Sequence, residues 1–196
     1  MAGVCFLLSQ KALDNLLEIT SISARIIKLE LEGNPKTTVI CVYCPHNASP
    51  ESDVEEFYTT LRSIVERVPL HNFLVIAGDL NAKLGPDSVR FTYNKETNSN
   101  GELLIDFMKE YNLFSSNTSF MKPKGQLWTF EYPNGGRVQL DYLIFRKKWR
   151  NTVKDLSYKQ DDKNAKGVFS LVKQVWSTAP IFLCSVFEKA INRLEA

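Results

Sequence analysis

The chain has 196 residues, 44% of them hydrophobic, and 24 Lys plus Arg against 22 Asp plus Glu leave a formal charge of +2. That supplies one domain with a sizeable core, while the charge balance neither demands nor excludes nucleic acid. No apolar run approaches the ~20 residues of a membrane span, and the first nine residues carry neither a basic region nor a cleavage-like site, so the expectation is a soluble, intracellular protein with no membrane partner.

In chain order, residues 3–9 are a compact apolar segment, expected to be a buried strand. Residues 21–31 alternate, with Ile22, Ala24, Ile26 and Leu29 standing among charged residues. A turn at Gly33-Asn34-Pro35 leads into a β-branched run at 37–43, so the two runs read as an antiparallel hairpin. The period changes over 50–68. Val54, Phe57, Leu61, Ile64, Val65 and Val68 fall at helical spacing, with acidic residues early and Arg62 and Arg67 later, as the helix dipole favours. Residues 72–77 form a continuous apolar strand buried on both faces, ended by Gly78.

Residues 85–100 are polar and loop-like. Asn100-Gly101 opens a second helix whose apolar face is Leu103, Leu104, Phe107, Met108 and Tyr111, and a short strand follows at 112–116. Runs at 126–132 and 137–145, separated by Pro133-Asn134-Gly135-Gly136, give a further hairpin. Strands, helix, strand, helix and hairpin in this order predict an α/β sandwich in which helices cover sheets. Beyond 158, a Lys/Asp-rich loop at 159–166 leads into helical spacing at Val168, Leu171, Val172, Val175 and Trp176, a break at Pro180, then Phe182, Val186 and Ala190. The expected organisation is therefore one domain at 1–158 and a divergent helical tail at 159–196, whose apolar residues would serve best by covering an exposed strand edge.

Cys5, Cys41, Cys44 and Cys184 are the four cysteines. Cys41 and Cys44 make a C-x-x-C, but zinc needs a second pair of ligands and only His46 is near. A redox pair would open a helix, whereas this pair ends a strand-like run. They read as small buried or half-buried thiols that bind no metal, and free thiols imply a reducing compartment.

Two acidic segments could carry chemistry. Gly78-Asp79-Leu80-Asn81 follows a wholly apolar strand, so its charge is held at a rim. On extended backbone the side chains of Asp79 and Asn81 point to the same side. A carboxylate and an amide there could bind a hard cation or orient a water and an anionic oxygen; the same tetrapeptide is also an ordinary turn. Asp141 lies inside the apolar run 138–144, where an Asp is disfavoured in mid-strand and costly if buried unpaired. It reads either as a partnered site residue or as a solvent-facing residue on a half-exposed strand. Trp128 reads as packing rather than a base-stacking platform.

Val42-Tyr43-Cys44-Pro45-His46-Asn47, Gly78-Asp79-Leu80-Asn81-Ala82, Trp128-Thr129-Phe130 and Leu140-Asp141-Tyr142-Leu143 occur here in the order found in the endonuclease/exonuclease/phosphatase superfamily. The helix opening Asn100-Gly101-Glu102-Leu103-Leu104-Ile105-Asp106-Phe107 also looks like that of LINE-type retrotransposon endonucleases and craniofacial-development-protein-2-like sequences. The resemblance covers residues 3–158. It implies a four-layer α/β sandwich, two sheets flanked by helices, that nicks DNA by phosphodiester hydrolysis with Mg²⁺, or Mn²⁺ in its place, beside a reverse-transcriptase domain of the parent element. On this resemblance Asp79 positions or deprotonates the attacking water, Asn81 contacts the phosphate near the metal, Asp141 orients a histidine against the scissile phosphate, and Tyr43 contacts the phosphate. Asp79 and Asn81 would be the metal-side pair.

The chain also departs from the family pattern. The strand with the family's first Asn, and the strand and loop with its metal-binding Glu, would precede the segment at 3–9. No Ser-Asp-His motif follows Tyr158, and His46 and His71 both precede Asp141. The match is thus incomplete at both ends, and the resemblance implies weakened or lost metal binding and catalysis. The alternative expectation is a non-catalytic remnant acting as a nucleic-acid-binding or interaction module.

Overall fold

The computed structural model describes residues 3–153 and, beyond them, the backbone of two strands, Val168–Leu171 and Phe182–Val186. Among the described residues, three α-helices, α1 (Gln10–Asp14), α2 (Glu51–Arg67) and α3 (Ser99–Glu110), punctuate eleven strands. The strands are β1 (Val4–Leu8), β2 (Leu16–Ser23), β3 (Ile26–Leu31), β4 (Thr37–Tyr43), β5 (Phe73–Asp79), β6 (Leu113–Ser115), β7 (Phe130–Glu131), β8 (Arg137–Val138), β9 (Asp141–Arg146), β10 (Val168–Leu171) and β11 (Phe182–Val186). Six of them make a mixed sheet in the order β2-β3-β4-β5-β9-β6, and β1-β11-β10 make a smaller one. Every pairing in the large sheet is antiparallel except β4 with β5, whose parallel connection runs through α2. This is the expected α/β sandwich.

Both faces of the large sheet are buried, and alternation sorts its side chains between them. Ile40, Val42, Leu74, Ile76, Tyr142 and Ile144 pack against α2 and α3. Val39, Cys41, Val75, Ala77, Leu143 and Phe145 face the other way, where Val4, Phe6 and Leu8 of β1 pack. The helix expected at 50–68 forms with its apolar residues inward, Glu51 and Asp53 in its first turn and Arg67 in its last. Arg146, buried on β9, donates to the carbonyls of Val68 (2.8 Å) and Pro69 (2.6 Å) just beyond that helix, a charge where its dipole is negative.

Several expectations need correction. The run at 21–31 is two strands: the chain turns at Ala24-Arg25, and β2, unread in the sequence, pairs with β3 from residue 16 onward. The short helix α1 was also unread. β1 is only partly buried, with Leu7 53% exposed. β5 does not stop at Gly78 but continues to Asp79. The run at 137–145 breaks at Gln139-Leu140, so β7 and β8 are a two-residue ladder and β9 begins at Asp141. In the tail, the two described segments, β10 and β11, are strands where helical spacing was read; β11 pairs with β1, covering that strand's edge. The other tail residues of the expected helical stretch lie outside the described residues. Apolar periodicity ranks local preferences, and an open strand edge outweighs them.

The expectation of free thiols holds for Cys44 and fails for Cys41, which is disulfide-bonded. Cys41 and Cys44 also face opposite layers of the sandwich, so the C-x-x-C cannot close on one ion. Among the described residues, no helix is long and apolar enough to cross a membrane.

At Gly78 the backbones of β4 and β5 leave no room for a side chain. The φ of Gly78 is +146°, and a Cβ there would collide with the Val42 carbonyl oxygen. Gly78→Ala is therefore expected to destabilise the fold by roughly 3 kcal/mol, through strained backbone plus a forced separation of two central strands. Urea unfolding followed by circular dichroism measures this, and an unchanged midpoint would contradict the close approach.

Candidate functional site

Three of the four residues singled out by the sequence lie on one rung of the sheet. Tyr43 pairs with Asp79 across the parallel β4/β5 ladder, and Asp79 pairs with Asp141 across the antiparallel β5/β9 ladder. Two residues along each strand, Cys41, Ala77 and Leu143 face the smaller sheet. The side-chain period of two therefore sends Tyr43, Asp79 and Asp141 to that same face. The rung sits at the C-terminal ends of β4 and β5, where the core gives way to loops. Tyr43 is 4% exposed and Asp141 3%, while Asp79 is half-buried.

Asn81, the fourth residue, joins the group by a different geometry from the one expected. The backbone turns at Asn81, whose φ of +47° is left-handed, so Asp79 and Asn81 do not alternate on an extended strand. Asn tolerates this conformation where a bulkier residue would not. The turn lets the Asn81 N–H donate to Asp79 Oδ1 at 2.8 Å, while Asn81 Nδ2 donates to the Cys44 carbonyl at 2.7 Å. The amide thus ties the loop after β5 to the loop after β4, and the carboxylate is aimed by its own backbone.

The N-terminus of α3 holds both loops. Asn98 caps the helix by accepting from Gly101 N–H (2.9 Å) and accepts from Lys83 N–H (2.8 Å) with the same oxygen. Asn100, 2% exposed, donates Nδ2 to the carbonyls of Pro45 (3.0 Å) and Asn81 (3.3 Å). A Cβ at Gly101 would strike the Lys83 carbonyl, so this helix start fits closely only as Asn-Gly. The stretch read as a family-like helix opening is therefore the clamp of the site.

Asp141 stands at the start of β9 rather than in mid-strand. Burial, then the Asp79 carboxylate, pushes its carboxyl well above the usual carboxylate range, and a hydrogen bond from Thr129 opposes the shift. Thr129 Oγ1 also accepts the N–H groups of Leu140 (3.0 Å) and Asp141 (3.1 Å), which fixes where the strand begins. Asn117 flanks the other side, accepting from Leu143 N–H at 2.8 Å and donating to the Asp141 carbonyl at 3.4 Å. Sequence reasoning gave no site role to Thr129, Asn117, Asn98 or Asn100. Thr129 and Asn100 left a signal, as the centre of Trp128-Thr129-Phe130 and the start of Asn100-Gly101-Glu102. Trp128 packs as expected, 6% exposed beneath the Arg137 guanidinium, 4.3 Å from its ring centroid.

At the Tyr43 end, the phenol oxygen lies 3.1 Å from His46 Nε2, and the Arg25 guanidinium sits 5.3 Å from the ring centroid. Arg25, in the β2–β3 turn that the sequence reading ran through as strand, also donates to the Tyr43 carbonyl at 3.4 Å. For a cation, the rung offers two neighbouring carboxylates, and their mutual repulsion is what a divalent ion relieves. Among the described residues no group of three or more His, Cys, Asp or Glu gathers to hold a metal. Two carboxylates still fit Mg²⁺, which commonly takes one or two from the protein and fills its other positions with water and phosphate.

The raised carboxyl of Asp141 has a thermodynamic consequence. The folded chain holds that proton more tightly than the unfolded chain, so its contribution favours folding at pH below the ordinary carboxylate range and is lost as pH rises through the raised value. Asp141→Asn removes the buried charge and keeps an acceptor for Thr129. In metal-free buffer the variant is expected to melt roughly 2–6 °C above the parent at pH 7–8, the gap closing towards pH 4. Equal melting at every pH in differential scanning fluorimetry would refute the Asp79–Asp141 conflict.

Residues 37–161 match the protein family described as endonuclease-reverse transcriptase. Craniofacial development protein 2 of Tragulus javanicus is 34% identical over 158 residues, which is 77% of this chain and 27% of that protein. The Bos taurus protein of the same name is 33% identical over 77% of this chain and 26% of its own length. The chain thus spans about a quarter of the curated relatives it matches. Among solved structures, the Neisseria 3′ phosphatase NExo, bound to a product DNA hairpin, superposes with a TM-score of 0.55 at 15% identity, over 94% of this chain and 70% of that one. That is a likeness of fold. The family match runs from β4 through β9 and takes in Tyr43, Asp79, Asn81 and Asp141 together, so the chain belongs to the endonuclease-reverse transcriptase family, within the endonuclease/exonuclease/phosphatase superfamily.

Proposed function

We propose that this chain is the phosphodiester-hydrolysing part of a retroelement-type protein, nicking DNA with a divalent cation, Mg²⁺ or Mn²⁺, in concert with a reverse-transcriptase domain elsewhere in the parent protein. One observation carries the reading: the Tyr43–Asp79–Asp141 rung presents a phenol and two carboxylates on one face at the strand ends. The family membership and the DNA hairpin bound by the structural neighbour support DNA as the substrate.

In this reading Asp79 and Asp141, with Asn81 beside them, hold the cation, which supplies charge neutralisation to the phosphate oxygens. Asp79 is the group that receives the proton of the attacking water. It is half-buried, aimed by the Asn81 N–H, and the more accessible of the two carboxylates. Asp141, deeply buried and held by Thr129, keeps negative charge close to the cation and fixes the start of β9. Tyr43 projects its hydroxyl from the same face as a donor to a phosphate oxygen.

The donor set among the described residues stops at two carboxylates, which favours a second reading: a folded module that binds nucleic acid without cutting it. Plasmid nicking separates the two. The purified chain in Mg²⁺ is expected to relax supercoiled plasmid, and Asp79→Ala to lower the rate at least 100-fold, the lower range for loss of a positioned proton acceptor. Asp141→Asn should lose activity while gaining thermal stability. Undiminished nicking by Asp79→Ala would refute the assignment, and binding without nicking by the folded parent would establish the second reading.

A further inference from the structure

The rung is electrically lopsided. Asp79 and Asp141 put two carboxylates at one end, whereas the Arg25 guanidinium and the His46 imidazole gather round Tyr43 at the other. A phosphate approaching the carboxylate end meets repulsion unless a cation intervenes, while the Tyr43 end offers donors. His46 is the exposed member of that end, standing over a buried tyrosine.

Its position is unusually well held for a surface side chain. Pro45 before it has its carbonyl bonded by Asn100 Nδ2 at 3.0 Å, and Asn47 after it accepts the Asn100 N–H at 3.2 Å. The His46 carbonyl accepts the Ser49 N–H at 2.8 Å. The ring itself meets the Tyr43 ring edge to face, with centroids 5.9 Å apart. The buried residue that fixes the Asp79 loop, Asn100, thus also fixes the histidine, so the imidazole and the carboxylates share one rigid support. Such preorganisation makes a surface histidine into a binding group.

We propose that His46 contacts the phosphate of a bound phosphodiester, taking the anion side of the site beside Tyr43 while Asp79 and Asp141 take the cation side. This rests on the phosphodiesterase reading above. It assigns to a residue early in the chain a role that the order of residues in the sequence could not place near Asp141.

The chain has two histidines, His46 and His71. His71 precedes β5 at the end opposite Asp79, beyond a strand that spans about 20 Å from Phe73 to Asp79 at ~3.3 Å per residue, and serves as an internal control. The test is a proton NMR titration of the chain in Mg²⁺ with a short phosphorothioate DNA duplex that resists hydrolysis, the ring signals assigned with His46→Gln. The His46 signal is expected to move and saturate with the binding midpoint from fluorescence anisotropy, while the His71 signal stays fixed. In plasmid nicking, His46→Ala should lower kcat/KM about tenfold, the size of one hydrogen bond to a charged group, and His46→Asn should recover part of the loss. A still His46 signal with bound duplex, together with wild-type nicking by His46→Ala, would overturn this role and leave the phosphodiesterase reading intact. If the parent neither binds duplex nor nicks plasmid, both fall together.

Discussion

The pairing of β4 with β5 is the constraint on which the rest of the molecule depends. It is the single parallel ladder of the large sheet, it requires the α2 crossover, and it sets Tyr43 opposite Asp79. Because side chains alternate with a period of two, a slip of one residue in either strand would send the aspartate to the helix face and destroy the rung. Gly78 permits the two backbones to approach closely at the last step before Asp79. β9 then adds on the far side of β5 in antiparallel register and delivers Asp141 to the same rung. Three residues distant in sequence thus converge through backbone hydrogen bonds alone, before any side chain at the site makes a contact.

Where the strands end, asparagines take over the work of the ladder. Asn81, Asn98, Asn100 and Asn117 each bond backbone groups of a neighbouring loop or strand. Asn94 does the same against both the N–H and the carbonyl of Gln139, matching what a paired strand would offer. A buried loop carries polar backbone groups that must be satisfied, and the amide of Asn, with a donor and an acceptor, satisfies them pairwise. This explains how a site built on turns can be as rigid as one built on strands.

The same rung stores an electrostatic conflict. Asp141 is enclosed, faces another carboxylate, and has its proton affinity raised by both causes. Such an arrangement costs stability, and a proton or a neighbouring positive charge relieves it. Cys44, buried beneath the rung, has its thiol pushed up by burial and then by the Asp79 charge, so the field of that carboxylate reaches into the core on the helix side as well.

What the sequence determined by itself was local or carried by contiguous motifs. The α2 and α3 periods, the apolar β5 and the hairpin of β3 with β4 follow from spacing, since a few neighbouring residues settle each. The residues Tyr43, Asp79, Asn81 and Asp141 were legible because each sits in a short family-like motif. Only the tertiary structure decided that Asn81 turns left-handed, that Asp141 opens β9 rather than interrupting it, that Cys41 is in a disulfide, and that two segments of the tail are strands. It also decided that Thr129, Asn100, Arg25 and His46 gather around the Tyr43–Asp79–Asp141 rung and its loops. These depend on partners tens of residues away, and pairing between distant segments overrides local preference wherever an unpaired strand edge or an unsatisfied buried group would cost more.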